Sequence, residues 1–347
     1  MLGNGVFIVK KMRVAMVGVG GFGAYRRERM RECGLFELVA AYDRDESALK
    51  VCQAQDGARA VSSLEALLET PGIEALVIST GAKYHAEQAL QAMERGLHVF
   101  VEKPLCATPG EVDALLAAQE RTGVVVGLGH EDHQYCPVSV TIKRMLDSGE
   151  LGSVVAFEKT TAHNGGLHIK PDDWRGDPAK NPGGMLFQCG VHAIHELMFY
   201  FGPIVEVGCM MRYDVHTTRT ADAAVCTLRF ASGLIGTLNA YHVTPYRHRF
   251  DILGTAANLY REELYFDEGV KMWKQTTHLD GKKEPKVPVA VAGAHDLCGN
   301  LRSFHQAVRE GGTPYPSLMD GAKALAVIFA AEEASKSGKT VSVKALA

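Results

Sequence analysis

A glycine-rich turn near the start of the chain restricts the fold more than any other stretch. The apolar run Val14–Val17 leads directly into the sequence GVGGFG at residues 18–23, a G-x-G-x-x-G pattern. Glycines at these positions allow a tight turn, close approach of the backbone to a pyrophosphate, and close packing of helix on strand. The segment from about Phe22 to Cys33 is the helix that would offer its first amide groups to the anion. The pattern therefore predicts a strand, turn and helix that bind a dinucleotide.

An acidic residue stands where such a unit needs one. A second apolar strand, Leu38–Tyr42, ends at Asp43, which lies 20 residues beyond Gly23. An acid at this distance hydrogen-bonds the adenosine ribose, so Asp43 favours NAD. Arg44 follows directly and could hold the 2′-phosphate of NADP instead. We therefore predict NAD as the cofactor and leave NADP open.

Strands and helices alternate through the rest of the first third of the chain. Further apolar strands are expected at Ala75–Ser79, His98–Val101 and Val124–Val126, with helical segments between them. Such alternation is typical of an α/β fold with a doubly wound parallel sheet. We therefore predict a Rossmann domain over residues 12–128.

The strand His98–Val101 ends in two charged residues and a proline, Glu102-Lys103-Pro104. Proline cannot continue a central strand, so the chain must leave the sheet here. Ligands of open parallel sheets bind beyond the carboxyl ends of the strands. Lys103 therefore lies where a reaction could occur, although a surface lysine at a strand end is the simpler alternative.

The order of these motifs resembles the Gfo/Idh/MocA oxidoreductase family, which includes glucose–fructose oxidoreductase and inositol dehydrogenases. The likeness rests on residues 18–23, on Asp43, on the segment from Ser79-Thr80 through His85, and above all on Glu102-Lys103-Pro104 after a Gly-x-His-Val strand. It extends over nearly the whole chain, from about residue 13 to residue 343. One departure is Thr80-Gly81-Ala82, where many members have a proline-containing turn.

The resemblance implies a Rossmann domain followed by an α+β domain on a large open, mostly antiparallel sheet. Residues 129–330 would form this second, substrate-binding domain, and a tail from about 330 to 347 would return to the first. The residues expected to contact the cofactor are Gly18, Gly20, Gly21, Phe22, Gly23, Asp43, Arg44, Ser79, Thr80, His85, Glu102 and Lys103.

Polar and apolar residues alternate in the strands expected after residue 154, such as Ala223–Phe230 and Leu234–Tyr241. Alternation is typical of a sheet with one face in water. Ser232-Gly233 between these two strands is typical of a hairpin turn. A broad exposed face often packs against a second subunit, so we expect a homodimer or homotetramer formed through the C-terminal sheet.

A second cluster of polar residues lies between Gly183 and Glu196. Gln188, His192 and His195 are spaced i, i+4 and i+7 and would share one face of a helix. Many family members have histidine at the position of His192 and aspartate at the other two, so the resemblance implies that His192 is a catalytic-site residue. Gln188 cannot ionise and therefore cannot act as a base. The alternative is that these histidines only pack at a domain interface.

We hypothesise that Lys103 and His192 flank a substrate hydroxyl and act as the acid/base pair of a hydride-transfer reaction. The polar residues of the second domain favour a sugar, sugar acid, glycoside or cyclitol over an apolar alcohol. Trp174 and Arg175, in a loop that resembles the substrate-facing loop of the family, could stack on and fork onto an oxygen-rich ring. The residues expected to contact substrate are His163, Asp172, Trp174, Arg175, Gln188, His192 and His195.

Three other functions stay open from the sequence. A redox-neutral lyase, glycosidase or epimerase would take a hydride, act through a keto intermediate and return the hydride. A non-catalytic dinucleotide-binding regulator would not need the lysine and histidine pair. A metal hydrolase would need a third ligand, and the order His-x-x-His-Glu at residues 192–196 does not match known zinc motifs, so no metal is predicted.

Composition limits the partners and the compartment. The net charge of −3 provides no basic field, so nucleic acid and anionic membranes are not expected as partners. The eight cysteines are scattered without a Cys-x-x-Cys pair, which indicates reduced thiols in a cytoplasmic protein. No apolar run approaches the roughly 20 residues of a membrane span.

Overall fold

The computed structural model describes residues 10–170, 173–264, 269–278, 280, 282 and 284–346. The chain divides into two compact units. The first contains the residues up to Glu131 together with Leu297–Leu318, and the second contains Asp132–Asp296 together with the residues from Met319 onward.

The first unit is built on a six-stranded sheet in the order β3-β2-β1-β4-β5-β6, and every pairing in it is parallel. This order is that of a doubly wound dinucleotide-binding fold, so the predicted Rossmann sheet is confirmed. The strands are short and largely buried, as expected for a sheet covered by helices on both faces. They are β1 (Met12–Val17), β2 (Phe36–Tyr42), β3 (Arg59–Ala60), β4 (Ala75–Ile78), β5 (His98–Val101) and β6 (Val126–Leu128).

Five helices follow these strands in turn. Side-chain caps begin three of them, because Asp45, Ser63 and Thr108 each accept a hydrogen bond from a backbone amide of the first turn. The helices are α1 (Phe22–Cys33), α2 (Glu46–Asp56), α3 (Leu64–Leu68), α4 (Ala82–Met93) and α5 (Pro109–Thr122).

A helix from late in the chain completes the first unit. In α8 (Gly299–Glu310), Leu301 and Phe304 are fully buried in the core of this unit, and the ring of Phe304 lies 5.6 Å from that of Phe100. The sequence had placed this segment in the second domain. Local patterns cannot reveal a contact between residues 200 positions apart, which is why the return of residues 297–318 was missed.

The second unit is built on a nine-stranded sheet in the order β14-β13-β12-β11-β7-β10-β9-β8-β15. Among the pairings of described residues only that of β7 with β10 is parallel, so the predicted large, mostly antiparallel sheet is confirmed. The strands are β7 (Val154–Ala162), β8 (Ile204–Arg212), β9 (Ala223–Phe230), β10 (Ile235–Tyr241), β11 (Arg247–Gly254), β12 (Ala257–Glu263), β13 (Val270–Thr276), β14 (Val287–Pro288) and β15 (Val341–Ser342).

The C-terminal tail belongs to this second unit. Val341 in β15 pairs with Val207 in β8, so the tail extends the nine-stranded sheet rather than returning to the Rossmann domain as the resemblance implied. The preceding helix α9 (Leu318–Ser337) is held to the same unit, because Glu332 accepts a hydrogen bond from the amide of Gly183 at 2.8 Å.

Two further helices, α6 (Pro137–Asp147) and α7 (Val191–Phe201), lie in the second unit. A single π-helical turn, Leu186–Gly190, directly precedes α7. The sequence predicts an uninterrupted α-helix here. Such wide turns occur frequently at functional sites.

Candidate active site

The glycine turn after β1 has the close contacts that only glycine permits. A Cβ on Gly18 would lie 2.7 Å from the carbonyl carbon of Ser79, and one on Gly23 would lie 2.1 Å from the carbonyl oxygen of Gly18. Gly18 and Gly21 also have positive φ angles, of 79° and 49°. Helix α1 starts at Phe22 with no acidic residue in its first turn and no side-chain cap from the described residues. Its N-terminus is therefore suited to an anion.

Asp43 holds this turn in place. Its Oδ2 accepts hydrogen bonds from the amides of Val19 at 2.7 Å and Gly20 at 3.2 Å, while Oδ1 accepts one from Asp45 at 3.0 Å. The carboxylate therefore joins the end of β2 to the glycine turn and is half-exposed, and its contact with a ribose hydroxyl stays a prediction. Arg44 is exposed, and its Nη1 lies 3.4 Å from the hydroxyl of Tyr84.

The ends of β4 and α4 add polar groups at the same edge of the sheet. The hydroxyl of Ser79 is buried without a hydrogen-bond partner among the described residues. Thr80 donates from its hydroxyl to Gln88 at 2.7 Å. A glycine cradle beside an unsatisfied hydroxyl is what a bound dinucleotide requires of this edge, so these residues fit NAD.

Glu102 faces inward in the structure. It is 3% exposed, and its Oε1 accepts from Nε of Arg26 at 2.5 Å. Arg26 also donates to Asn300 at 3.3 Å, and Asn300 donates to the carbonyl of His130 at 2.7 Å. This network holds Glu102, the residue immediately before Lys103, against α1 and α8. A direct contact of Glu102 with the cofactor stays a prediction.

His85 joins the two loops that flank the cofactor edge. Its Nδ1 lies 2.8 Å from the carbonyl oxygen of Pro104, and its Nε2 lies 2.8 Å from that of Thr80. Burial lowers the pKa of His85, which favours a neutral ring that donates to one carbonyl at a time. Lys103 is the residue before Pro104 in the same loop. It is half-exposed and is joined to Pro104 by a cis peptide bond. His85 therefore supports the backbone that presents Lys103.

Gln188 lies in the π-helical turn that precedes α7. Its Nε2 donates to Oδ1 of Asn181 at 2.9 Å. Asn181 is fully buried and in turn donates to the carbonyl of Arg175 at 2.7 Å. Asn181 thus connects the loop of Trp174 and Arg175 to Gln188. The sequence did not indicate this role; its only local signal is that Asn181 begins the turn Asn181-Pro182-Gly183-Gly184.

The two histidines of α7 have different surroundings. His192 is half-exposed, whereas His195 is buried with its ring 5.1 Å from that of His133. Nδ1 of His133 lies 3.0 Å from the hydroxyl of Ser139 in α6. His195 is therefore an interior side chain of the second unit, and its contact with substrate stays a prediction. Because Lys103 belongs to the first unit and His192 to the second, their pairing stays a prediction too.

A buried ion cluster lies next to His195. Glu196 binds Lys159 of β7 and Arg261 of β12, with Nη2 of Arg261 at 3.1 Å, and accepts from the hydroxyl of Tyr200 at 3.0 Å. Burial alone would raise the pKa of Glu196, but the charges of Arg261 and Lys159 hold it well below its usual value. The cluster ties α7, which carries His192, to the middle of the large sheet.

The remaining predicted substrate residues lie in loops of the second unit. The guanidinium of Arg175 stacks on the ring of Trp174 at 4.7 Å, and Asp173 accepts from the amide of Arg175 at 2.9 Å. His163 directly follows β7, and its ring lies 5.2 Å from that of His242. Asp172 lies outside the described residues.

Within the described part of the chain, no three His, Cys, Asp or Glu side chains are grouped so as to hold a metal ion. The helices of that part include none long and apolar enough to cross a membrane.

The buried ring of His133 gives a testable pH dependence of stability. Burial lowers its pKa to about 3; the charge of Glu196 raises the pKa, while those of His195, Lys159 and Arg261 lower it further. The unfolded chain takes up this proton near pH 6.5, so the contribution of His133 is complete above that pH and is lost as the pH falls toward 3. From pH 7 to pH 5 the free energy of unfolding should fall by about 2 kcal/mol through this group.

Urea unfolding at both pH values would measure that loss. It should shrink in His133→Asn and persist in His168→Asn, which removes an exposed histidine of the same unit. An equal loss in both variants would contradict the assignment.

Comparisons with known proteins agree with this architecture. Residues 12–130 match the oxidoreductase family with an NAD-binding Rossmann fold, and residues 139–260 match the GFO/IDH/MocA C-terminal domain. The scyllo-inositol 2-dehydrogenase (NAD(+)) of Bacillus subtilis (strain 168) is 27% identical over 290 residues, which are 79% of each chain. The myo-inositol 2-dehydrogenase of Thermotoga maritima is 21% identical over 350 residues, 96% of this chain and 99% of that one. A levoglucosan dehydrogenase solved with NADH and L-sorbose shares the fold, with a TM-score of 0.86, 19% identity, and coverage of 97% and 100% of the two chains.

The fold and the glycine turn define an oxidoreductase that binds NAD through a Rossmann domain. The chain belongs to the Gfo/Idh/MocA family. The resemblance noted from its motifs is thereby confirmed.

Proposed function

We propose that this enzyme transfers hydride between a nicotinamide cofactor and a secondary alcohol of a sugar, sugar acid, glycoside or cyclitol. The observation that carries the proposal is the position of Lys103 at the carboxyl end of β5, on the same sheet edge as the glycine turn after β1. The names of the inositol dehydrogenases among its relatives support a polyhydroxylated substrate.

The bound cofactor supplies a hydride acceptor at C4 of its nicotinamide ring, and the protein must handle the proton. Lys103 and His192 flank the substrate hydroxyl in this proposal. Either a neutral Lys103 takes the proton, or His192 takes it while Lys103 stabilises the developing alkoxide. Because Gln188 stands where many family members have an aspartate, more of the proton transfer falls to this pair.

Substrate recognition falls to the loops of the second unit. Arg175, already stacked on Trp174, presents donors for ring oxygens or a carboxylate. Gln188, whose amide donates to Asn181, is a neutral side chain that can hydrogen-bond a substrate hydroxyl without ionising. These groups favour a substrate with several oxygens and disfavour an apolar alcohol.

A redox-neutral reaction is the second candidate. Two further histidines, His163 and His242, lie near Gln188. They could serve an elimination or epimerisation at a neighbouring carbon through a keto intermediate. The reduced cofactor would then give the hydride back to the keto intermediate, so it would not accumulate.

We also propose that the enzyme forms a homodimer or homotetramer through the nine-stranded sheet. Met210 and Val225, directly paired between β8 and β9, and Ile235 of β10 are exposed apolar residues on its strands. A depression of about 390 Å³ lined by β7 to β10 interrupts the same sheet. A second copy of the chain would cover these groups.

A substrate panel tests the proposed reaction. Polyols, aldoses, uronates and glycosides are incubated with NAD and, separately, with NADP, while reduced cofactor is followed by absorbance and products by mass spectrometry. We expect NADH formation with at least one polyhydroxylated compound. Conversion without NADH would favour the redox-neutral reaction, and no conversion of any compound would contradict both.

A further inference from the structure

A thiol and an imidazole meet beside the predicted substrate residues, and the proposed reaction uses neither the sulfur nor this contact. Nε2 of His163 lies 3.2 Å from Sγ of Cys189. Cys189 lies in the π-helical turn, directly after Gln188 and three residues before His192. Both side chains of the pair are half-buried, so a small reagent can reach them.

The backbone decides which ring nitrogen of His163 carries the proton. The amide of Gly165 donates to Nδ1 at 2.9 Å. A ring nitrogen that accepts a hydrogen bond has no proton, so the neutral ring carries its proton on Nε2. This N–H is directed at the sulfur of Cys189, and a hydrogen bond to sulfur stabilises the thiolate more than the thiol.

His242 fixes the plane of the His163 ring. The two rings meet edge to face with centroids 5.2 Å apart. Burial lowers the pKa of His242 to about 4, with the charges of His163, Arg175 and His216 acting in the same direction. At neutral pH His242 is therefore an uncharged packing partner. The ring that faces the sulfur is thus held by a backbone hydrogen bond on one side and by an aromatic contact on the other.

We propose that Cys189 and His163 form a nucleophilic thiol site for small electrophiles such as hydroperoxides, and that modification of Cys189 blocks the substrate site. The thiol gives up its proton, and the sulfur attacks the outer oxygen of the peroxide. An S–O bond forms as the O–O bond breaks, and the leaving oxygen takes up the proton that the thiol released. Sulfur loses two electrons and becomes a sulfenic acid, which a thiol reductant reverses. The blocking effect rests on the proposed function, whereas the reactivity of the thiol does not.

Iodoacetamide labelling at pH 7, followed for all eight cysteines by peptide mass spectrometry, tests the reactivity without any assay of turnover. We expect Cys189 to label about ten-fold faster than Cys136, another half-buried cysteine of the same unit. His163→Phe keeps the bulk of the ring and removes the N–H, so it should slow labelling of Cys189 about ten-fold. His168→Phe, at an exposed histidine five residues further on, is the matched control and should change nothing.

Equal labelling of Cys189 and Cys136, or no slowing in His163→Phe, would overturn the thiol site. A second arm treats the enzyme with hydrogen peroxide. Turnover should fall, return with dithiothreitol, and be spared in Cys189→Ser when treated and untreated samples of that variant are compared. Fast labelling of Cys189 with turnover unchanged by peroxide would overturn the blocking effect. Absence of any substrate would defeat the proposed function while the labelling rates still report on the thiol.

Discussion

Lys103→Met should lower turnover by about a thousand-fold or more while the affinity for NAD stays within a few-fold. An amine that takes the proton or stabilises the alkoxide contributes mainly in the transition state, and removal of such a group typically costs about 10²- to 10⁴-fold. In the proposed site the cofactor would be held by the glycine turn, Asp43 and the edge of β4, none of which the change alters. Steady-state kinetics measure the first effect, and titration of protein fluorescence with NADH measures the second.

Lys143→Met is the matched control, because it removes a half-exposed lysine of α6 that pairs with the surface carboxylate Asp147. It should keep turnover within two-fold. Retained turnover in Lys103→Met would remove this lysine from the chemistry. A large loss of NADH binding would instead make it a cofactor ligand without a role in proton transfer.

The pH profile of His192→Asn separates the two assignments of the base. Loss of the acidic limb of the profile in this variant would indicate that His192 takes the proton.

Glu196→Ala should lower the free energy of unfolding by about 3–5 kcal/mol. The change leaves the buried charges of Lys159 and Arg261 without their counter-ion, and an uncompensated buried charge is among the most costly defects in a folded protein. It also removes the acceptor of the Tyr200 hydroxyl. Unfolding by urea at pH 7, followed by fluorescence, measures the loss.

Glu206→Ala makes the same change at an exposed carboxylate of β8, which pairs with Arg229 at 3.4 Å. This control should cost less than about 1 kcal/mol, because water already screens such a pair. Similar losses in the two variants would show that the buried cluster contributes no more than a surface pair. Since α7 carries His192, Glu196→Gln should also lower turnover under conditions in which the variant is still folded. The control at Glu206 should leave turnover unchanged under the same conditions.

Elements with strong local signals were predicted well. Helix α1 spans Phe22–Cys33 and β5 spans His98–Val101, as the sequence indicated, because glycines and a proline mark their limits. The hairpin at Ser232-Gly233 is confirmed too, with Gly233 at a φ of 89° between antiparallel strands. In each case the information lies within a few residues of the element itself.

Features that depend on distant contacts were not predictable in the same way. An extra residue in the π-helical turn has no compositional signature, so the spacing of Gln188, His192 and His195 predicts one uninterrupted α-helix. Glu102 has the appearance of a surface charge until Arg26, 76 residues earlier, is brought against it. Likewise the reactive surroundings of Cys189 depend on His163, and nothing near either residue in the sequence indicates the other.

The parallel pairing of β7 with β10 has a consequence for how the second domain can evolve. Ala162 and Tyr241 are register partners at the ends of these strands, so the chain emerges from both at one edge, and His163 and His242 become neighbours although 79 residues separate them. Adding or deleting one residue within either strand would turn one histidine to the opposite side of the sheet. Loop sequences beyond this edge are free to diverge and to adapt the enzyme to new molecules. The length of one strand, by contrast, can change only if the length of the other changes with it.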